Sequence, residues 1–190
     1  MSDRDPNCLN SPFPPKPLNF EYNGEDWVLY RQASLKYDDV ERWSMIQLSS
    51  SLSNVPVLGQ WFMQFCQPPL PREIWLEANA ALIEGYTNAV RHAHRHLSQT
   101  QPVWINALLT PENLMFEIWD QGFPFNFEQE LVSLKRLRDD PTFNPLDREA
   151  HWGGLIFLKL IDQCHWQIDY ARYPDQSNCL RAVIQFSQRK

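Results

Sequence analysis

The chain has 190 residues, enough for one domain with a proper core and little for two. Hydrophobic residues make up 43% and charged residues 21%, a globular composition that sets disorder aside as a description of the whole. A formal charge of −6 argues against nucleic acid as the main partner, because phosphate contacts need clustered Lys and Arg; a single nucleotide is not excluded, since a cation and backbone N–H groups can carry its charge.

In chain order, residues 1–20 are polar and proline-rich (Pro6, Pro12, Pro14, Pro15, Pro17). Such a segment buries too little apolar surface to offset its ordering entropy, so a flexible or extended arm is expected, with 21–190 as a single domain. Residues 27–35 read as a strand. Asp38 or Asp39 suits a helix N-cap, and the stretch up to Leu52 is helix-compatible. A break is expected at 54–59, around Pro56, and 61–66 reads as a buried helical continuation.

The clearest helix spans 71–97. Pro71 fits its first turn, and Glu73 and Glu77 sit near its positive end. Ile74, Ala78, Ala81, Leu82, Gly85, Ala89 and Ala93 recur at three- and four-residue steps and define an apolar face. Residues 103–109 and 114–119 read as strands joined by the turn Thr110-Pro-Glu-Asn113. From 126 to 152 the pattern is irregular, charged and interrupted by Pro141 and Pro145, which suits a functional loop. A second apolar helix is expected at 155–161, then a hairpin of 165–171 and 179–186 turning at 174–178. This order predicts an α+β fold, a two-layer α/β sandwich with helices on one face of a mainly antiparallel sheet.

Cys8, Cys66, Cys164 and Cys179 are far apart and form no C-x-x-C pair, so free thiols in a reducing cytoplasm are expected. No signal-peptide pattern opens the chain, and no apolar run nears the ~18 residues of a membrane span.

Three segments carry candidate chemistry. Glu84 and Asn88 are four apart and share a helix face; an amide oxygen suits a hard cation, and a carboxylate can deprotonate a hydroxyl. The same pair also fits a solvated polar stripe. Asp120-Gln-Gly122-Phe-Pro-Phe125 follows a strand; the carboxylate can accept from an exocyclic amine such as that of adenine, and Gly122 lets a flat ring approach the backbone. An ordinary turn has the same composition. Trp152-Gly153-Gly154-Leu155 leads into the second apolar helix, where exposed N–H groups can cradle phosphate, although a hinge would also use two glycines. His92-x-His94-x-His96 holds a histidine pair four apart, a zinc-compatible spacing without a third ligand, and His92 reads better as a residue that supports the site from behind or lies in the core beneath it.

Together and in this order, the segments resemble the ATPase family shared by gyrase, Hsp90 chaperones, sensor histidine kinases and MutL, the Bergerat or GHKL fold. Glu84-x-x-x-Asn88-Ala-Val-x-His92-Ala93 and Asp120-x-Gly122-x-Pro124-Phe125 are most similar to the boxes of bacterial anti-sigma-factor serine kinases. The resemblance spans roughly residues 27–187. It implies that Asn88 ligates Mg²⁺, that Glu84 is the base activating an acceptor serine, and that Asp120 and Gly122 hold the adenine of ATP. It further implies phosphate contacts at Gly153 and Gly154, nucleotide binding at Leu155, and a lid at 126–152.

The glycine box departs from the family pattern, with Trp152 where a first glycine is expected and Asp162 one residue early. The implied partners are a STAS-domain antagonist, as phosphate acceptor, and a sigma factor; a homodimer is left open. A non-catalytic ATP-binding partner-switching module is the alternative. The ATPase half of a split histidine kinase is a weaker one, since no helix pair with a phospho-acceptor histidine precedes the domain.

Overall fold

The computed structural model describes residues 40–140 and 152–188. The expected arm at 1–20, the strand at 27–35 and the proposed caps Asp38 and Asp39 lie outside the described residues.

Among the described residues, five strands form one sheet: β1 (Arg42–Ser49), β2 (Pro102–Leu109), β3 (Asn113–Asp120), β4 (Gln167–Arg172) and β5 (Asn178–Gln185). The order is β1-β2-β3-β5-β4 and every neighbouring pair is antiparallel. The helices α1 (Val55–Phe62), α2 (Arg72–Asn88), α3 (Phe127–Arg138) and α4 (Trp152–Cys164) complete an α+β two-layer sandwich. The main core lies between the helices and one sheet face, where Ile105, Leu114, Phe116, Ile118, Leu180 and Ile184 meet Leu58, Phe62, Ala78, Leu82 and Phe157. The other face carries a smaller cluster around Leu108 and Met115. It also holds the fully buried Glu117, which accepts from Arg181 Nε at 3.0 Å and Trp119 Nε1 at 3.1 Å. No described helix is long and apolar enough to cross a membrane.

Several expectations change. The helix expected up to Leu52 is instead strand β1, because each residue from Arg42 to Ser49 finds a partner on β2. Ile46 and Leu48 then face the core and Trp43 the other side. The break at 54–59 is the start of α1, with Pro56 in its first turn, where a missing N–H costs nothing. The run 61–66 leaves α-geometry at Met63 and continues as a 3₁₀ turn, Met63–Phe65. Within the stretch read as irregular, 127–138 is helix α3, capped by Asn126 Oδ1 accepting from Gln129 N–H at 2.9 Å. Residues 141–151 lie outside the described residues.

α2 packs tightly on the sheet because its inward positions are small. A Cβ on Gly85 would lie 2.5 Å from Ile118 Cδ1 and 2.7 Å from Leu180 Cδ2. Tyr86, next along, sends its hydroxyl to the carbonyls of Ser49 and Ser51, both at 2.8 Å. These two neighbours fix the rotation of α2 and hence the direction of Glu84 and Asn88.

Candidate functional site

After Asn88 the helix widens into one π-helical turn, Ala89–Ala93, closed by His94 N–H donating to Ala89 O at 2.8 Å. Such an insertion shifts the register of the residues beyond it, and here it turns His94 inward. His94 is buried, whereas His92 and His96 are exposed, so the core histidine is His94 and not His92. Its Nε2 accepts from Gln121 N–H at 2.8 Å. The imidazole proton is therefore on Nδ1, which donates to Ser50 Oγ at 2.5 Å, and that hydroxyl donates to Gln101 O at 2.7 Å. This neutral chain ties the loop after β3 to the end of β1.

Glu84 and Asn88 do share a face of α2, with the Asn88 amide donating to the Glu84 carboxylate. Burial raises the Glu84 pKa above the ordinary carboxylate value; the Asn88 bond and the charges of Arg91 and His92 offset part of that rise. Gly153 lies against this carboxylate. A Cβ there would fall 1.4 Å from Glu84 Oε1 and 2.0 Å from Cδ. A Cβ on Gly154 would come within 2.3 Å of Leu134 Cδ1, on α3. Both glycines belong to the first turn of α4, which begins at Trp152, rather than leading into it. They let that turn pass between α2 and α3. Leu155 follows in the same turn, half-buried.

Asp120 ends β3 and is buried with its carboxylate engaged by the protein. Oδ1 accepts from Gly122 N–H at 2.8 Å and from Asn178 Nδ2 at 2.7 Å, and Oδ2 accepts from the Tyr170 hydroxyl at 2.8 Å. Asn178 Nδ2 also donates to Gly122 O at 3.1 Å. Arg172 Nη1 donates to Gly122 O at 2.9 Å and to Asn178 Oδ1 at 3.0 Å. The segment 120–122 is thus a turn fastened from both sides, and what lies against the Gly122 α-carbon is a helix. A Cβ on Gly122 would sit 2.6 Å from the Cα and Cβ of Ala93 and 2.8 Å from its carbonyl oxygen. Beside Asp120, the Tyr170 ring meets Phe125 edge-on at a centroid distance of 5.8 Å and Phe127 at 6.5 Å.

All three segments converge on the C-terminal end of α2, Gly153 at Glu84 and Gly122 at Ala93. Asp162 does not join them: it pairs with Arg138 Nη1 at 2.8 Å and Lys135 Nζ at 3.6 Å, which holds α3 to α4. Among the described residues no cluster of three His, Cys, Asp or Glu is placed to hold a metal. Tyr170, Arg172 and Asn178 were not singled out from sequence. The signal was the hairpin register, which sets Asp120, Asn178 and Arg172 side by side across β3, β5 and β4.

The family profile described as histidine kinase-like ATPase domain matches residues 48–184 of this chain. No curated protein matches it. A solved structure with a similar chain is the crystal structure of the SiaB–SiaC complex from Pseudomonas aeruginosa. That match has a TM-score of 0.45 and 15% identity, and covers 77% of this chain and 91% of that chain.

Proposed function

Because the chain belongs to the histidine kinase-like ATPase domain family, we propose that it binds Mg²⁺-ATP and acts in the cytoplasm as a protein serine kinase of the anti-sigma-factor type. Its acceptor would be a serine on a STAS-domain antagonist, and its second partner a sigma factor. The observation that carries the reading is the meeting of Glu84, Asn88 and the first turn of α4 at one place. A phosphate lying along that turn would have a carboxylate and an amide oxygen beside it.

Asn88, on the same helix face as Glu84, would offer its amide oxygen to a cation, a fitting donor for Mg²⁺, which prefers oxygen and keeps several waters. The bound ion would supply charge neutralisation on the phosphates. Glu84, its pKa raised by burial, is matched to accept the proton of the acceptor hydroxyl while that oxygen bonds to the γ-phosphorus and the bond to the β-phosphate oxygen breaks. Asp120 would hold the adenine, with Gly122 N–H fixing its carboxylate; Gly153 and Gly154 would lie along the phosphates, with Leu155 beside the nucleotide.

The binding module without turnover is the second reading, and one observation favours it. Glu84 Oε1 fills the space beside the Gly153 α-carbon, where a phosphate would have to displace it. Incubation with labelled ATP, Mg²⁺ and STAS-domain proteins separates the two. On the kinase reading, Glu84→Ala lowers transfer on the order of 10²- to 10⁴-fold while Mg²⁺-ATP still binds, and Asn88→Ala loses binding and transfer together. ATP binding without label on any partner serine would select the module; normal Mg²⁺-ATP binding by Asn88→Ala would move the site elsewhere.

A further inference from the structure

Building on the nucleotide reading, we infer that Tyr170 is a place-holder that competes with the base: its hydroxyl occupies the acceptor position on Asp120 that an exocyclic amine of a purine would take. A carboxylate offers about four acceptor positions, two on each oxygen. On Asp120, Oδ1 has both filled, by Gly122 N–H and by Asn178 Nδ2. Those donors are fixed, since Gly122 is pressed against Ala93 and Asn178 is fully buried and held by Arg172. Among the described residues Oδ2 takes only the Tyr170 hydroxyl, at 2.8 Å.

Of the three donors, Tyr170 alone can yield. It is half-buried rather than enclosed, it stands on β4 at the edge of the sheet, and a side-chain rotation removes its hydroxyl. Its polarity also matches the ligand. Burial and the Asp120 charge push the phenol pKa up, so the hydroxyl stays a proton donor to Oδ2, as a purine 6-amine would be. A 6-carbonyl presents an acceptor and finds no partner on a carboxylate. Tyr170 therefore keeps a buried carboxylate satisfied in the empty protein, which would otherwise lose the hydrogen-bond partner it needs. Its ring packs edge-on against the exposed Phe125 and beside the buried Phe127.

The inference concerns competition at one oxygen, so the test compares two nucleotides that differ at one position. Full-length protein and Tyr170→Phe are titrated calorimetrically with Mg²⁺-ATP and with Mg²⁺-inosine triphosphate, which carries a carbonyl in place of the amine. Removing the hydroxyl should tighten ATP roughly ten-fold, the scale of a hydrogen bond to a charged group, and leave inosine triphosphate unchanged. Tyr170→Leu is the second variant, in case Tyr170→Phe folds poorly. Lost ring contacts weaken both nucleotides alike, so the ratio of the two affinities should rise in either variant. An unchanged ratio overturns the role of Tyr170 and leaves the nucleotide site standing. If no variant binds either nucleotide, the nucleotide reading falls, and this inference with it.

Discussion

Replacing Asn178 with alanine tests whether the turn after β3 is held by its neighbours on β5 and β4. The side chain is fully buried and makes three bonds: to Asp120 Oδ1 at 2.7 Å, to Gly122 O at 3.1 Å, and from Arg172 at 3.0 Å. The bond to the buried carboxylate and the bond from the Arg172 guanidinium are each worth about 1.5–3 kcal/mol, and the bond to Gly122 O about 1 kcal/mol. Gly122 O keeps its bond from Arg172 at 2.9 Å, and Asp120 Oδ1 keeps Gly122 N–H, so part of the network survives. A loss of about 3 kcal/mol is expected, a large share of the ~5–15 kcal/mol that holds a typical domain. Urea denaturation followed by circular dichroism measures it, with an unchanged m-value showing that only stability moved. Asn178→Asp should lose more at pH 7, because it sets a second carboxylate against Asp120. A loss below about 1 kcal/mol for Asn178→Ala would refute the claim that these bonds fix the turn.

Gly122→Ala and Gly59→Ala should move stability in opposite directions. The first drives a Cβ into the backbone of Ala93 and should cost about 1–3 kcal/mol. The second adds a methyl where nothing lies within 4 Å, inside α1, and should add about 0.5–1 kcal/mol. Equal melting temperatures for the two variants would show that the approach at Gly122 is not close. Glu84→Gln should stabilise the protein at neutral pH. The folded-state pKa of Glu84 is raised, so its protonated form favours folding below the unfolded value of 4.5, and that contribution is lost as pH rises through the folded value. The glutamine variant should therefore melt above the parent at pH 7, with the gap closing towards pH 4; a constant gap would count against burial as the cause.

Legibility in the sequence followed the range of the interactions involved. α2 was readable because its apolar face repeats within a few residues and Pro71 marks its start. β2 and β3 were readable for the same local reason, with turn residues between them. β1 was not, since a run such as Arg42–Ser49 carries no decisive period, and pairing with β2, more than fifty residues later, made it a strand. α3 was hidden by its charge: only Phe127 and Leu134 are buried along it, too sparse a stripe to stand out.

The candidate site divides along the same line. Sequence alone determined which residue types could do chemistry and on which element Glu84, Asn88 and Asp120 sit, because spacing within a helix and position at a strand end are local properties. Only the tertiary structure decided what those groups touch. That Gly153 meets Glu84, that Gly122 meets Ala93, and that Tyr170 and Asn178 occupy Asp120 depends on contacts between segments distant along the chain. The inward turn of His94 likewise comes from a single added residue in the helix, stabilised by bonds to Ser50 and Gln121 far away in sequence. Backbone geometry repeats within a few residues, whereas close packing and the satisfaction of buried polar atoms are settled only once the layers are in place.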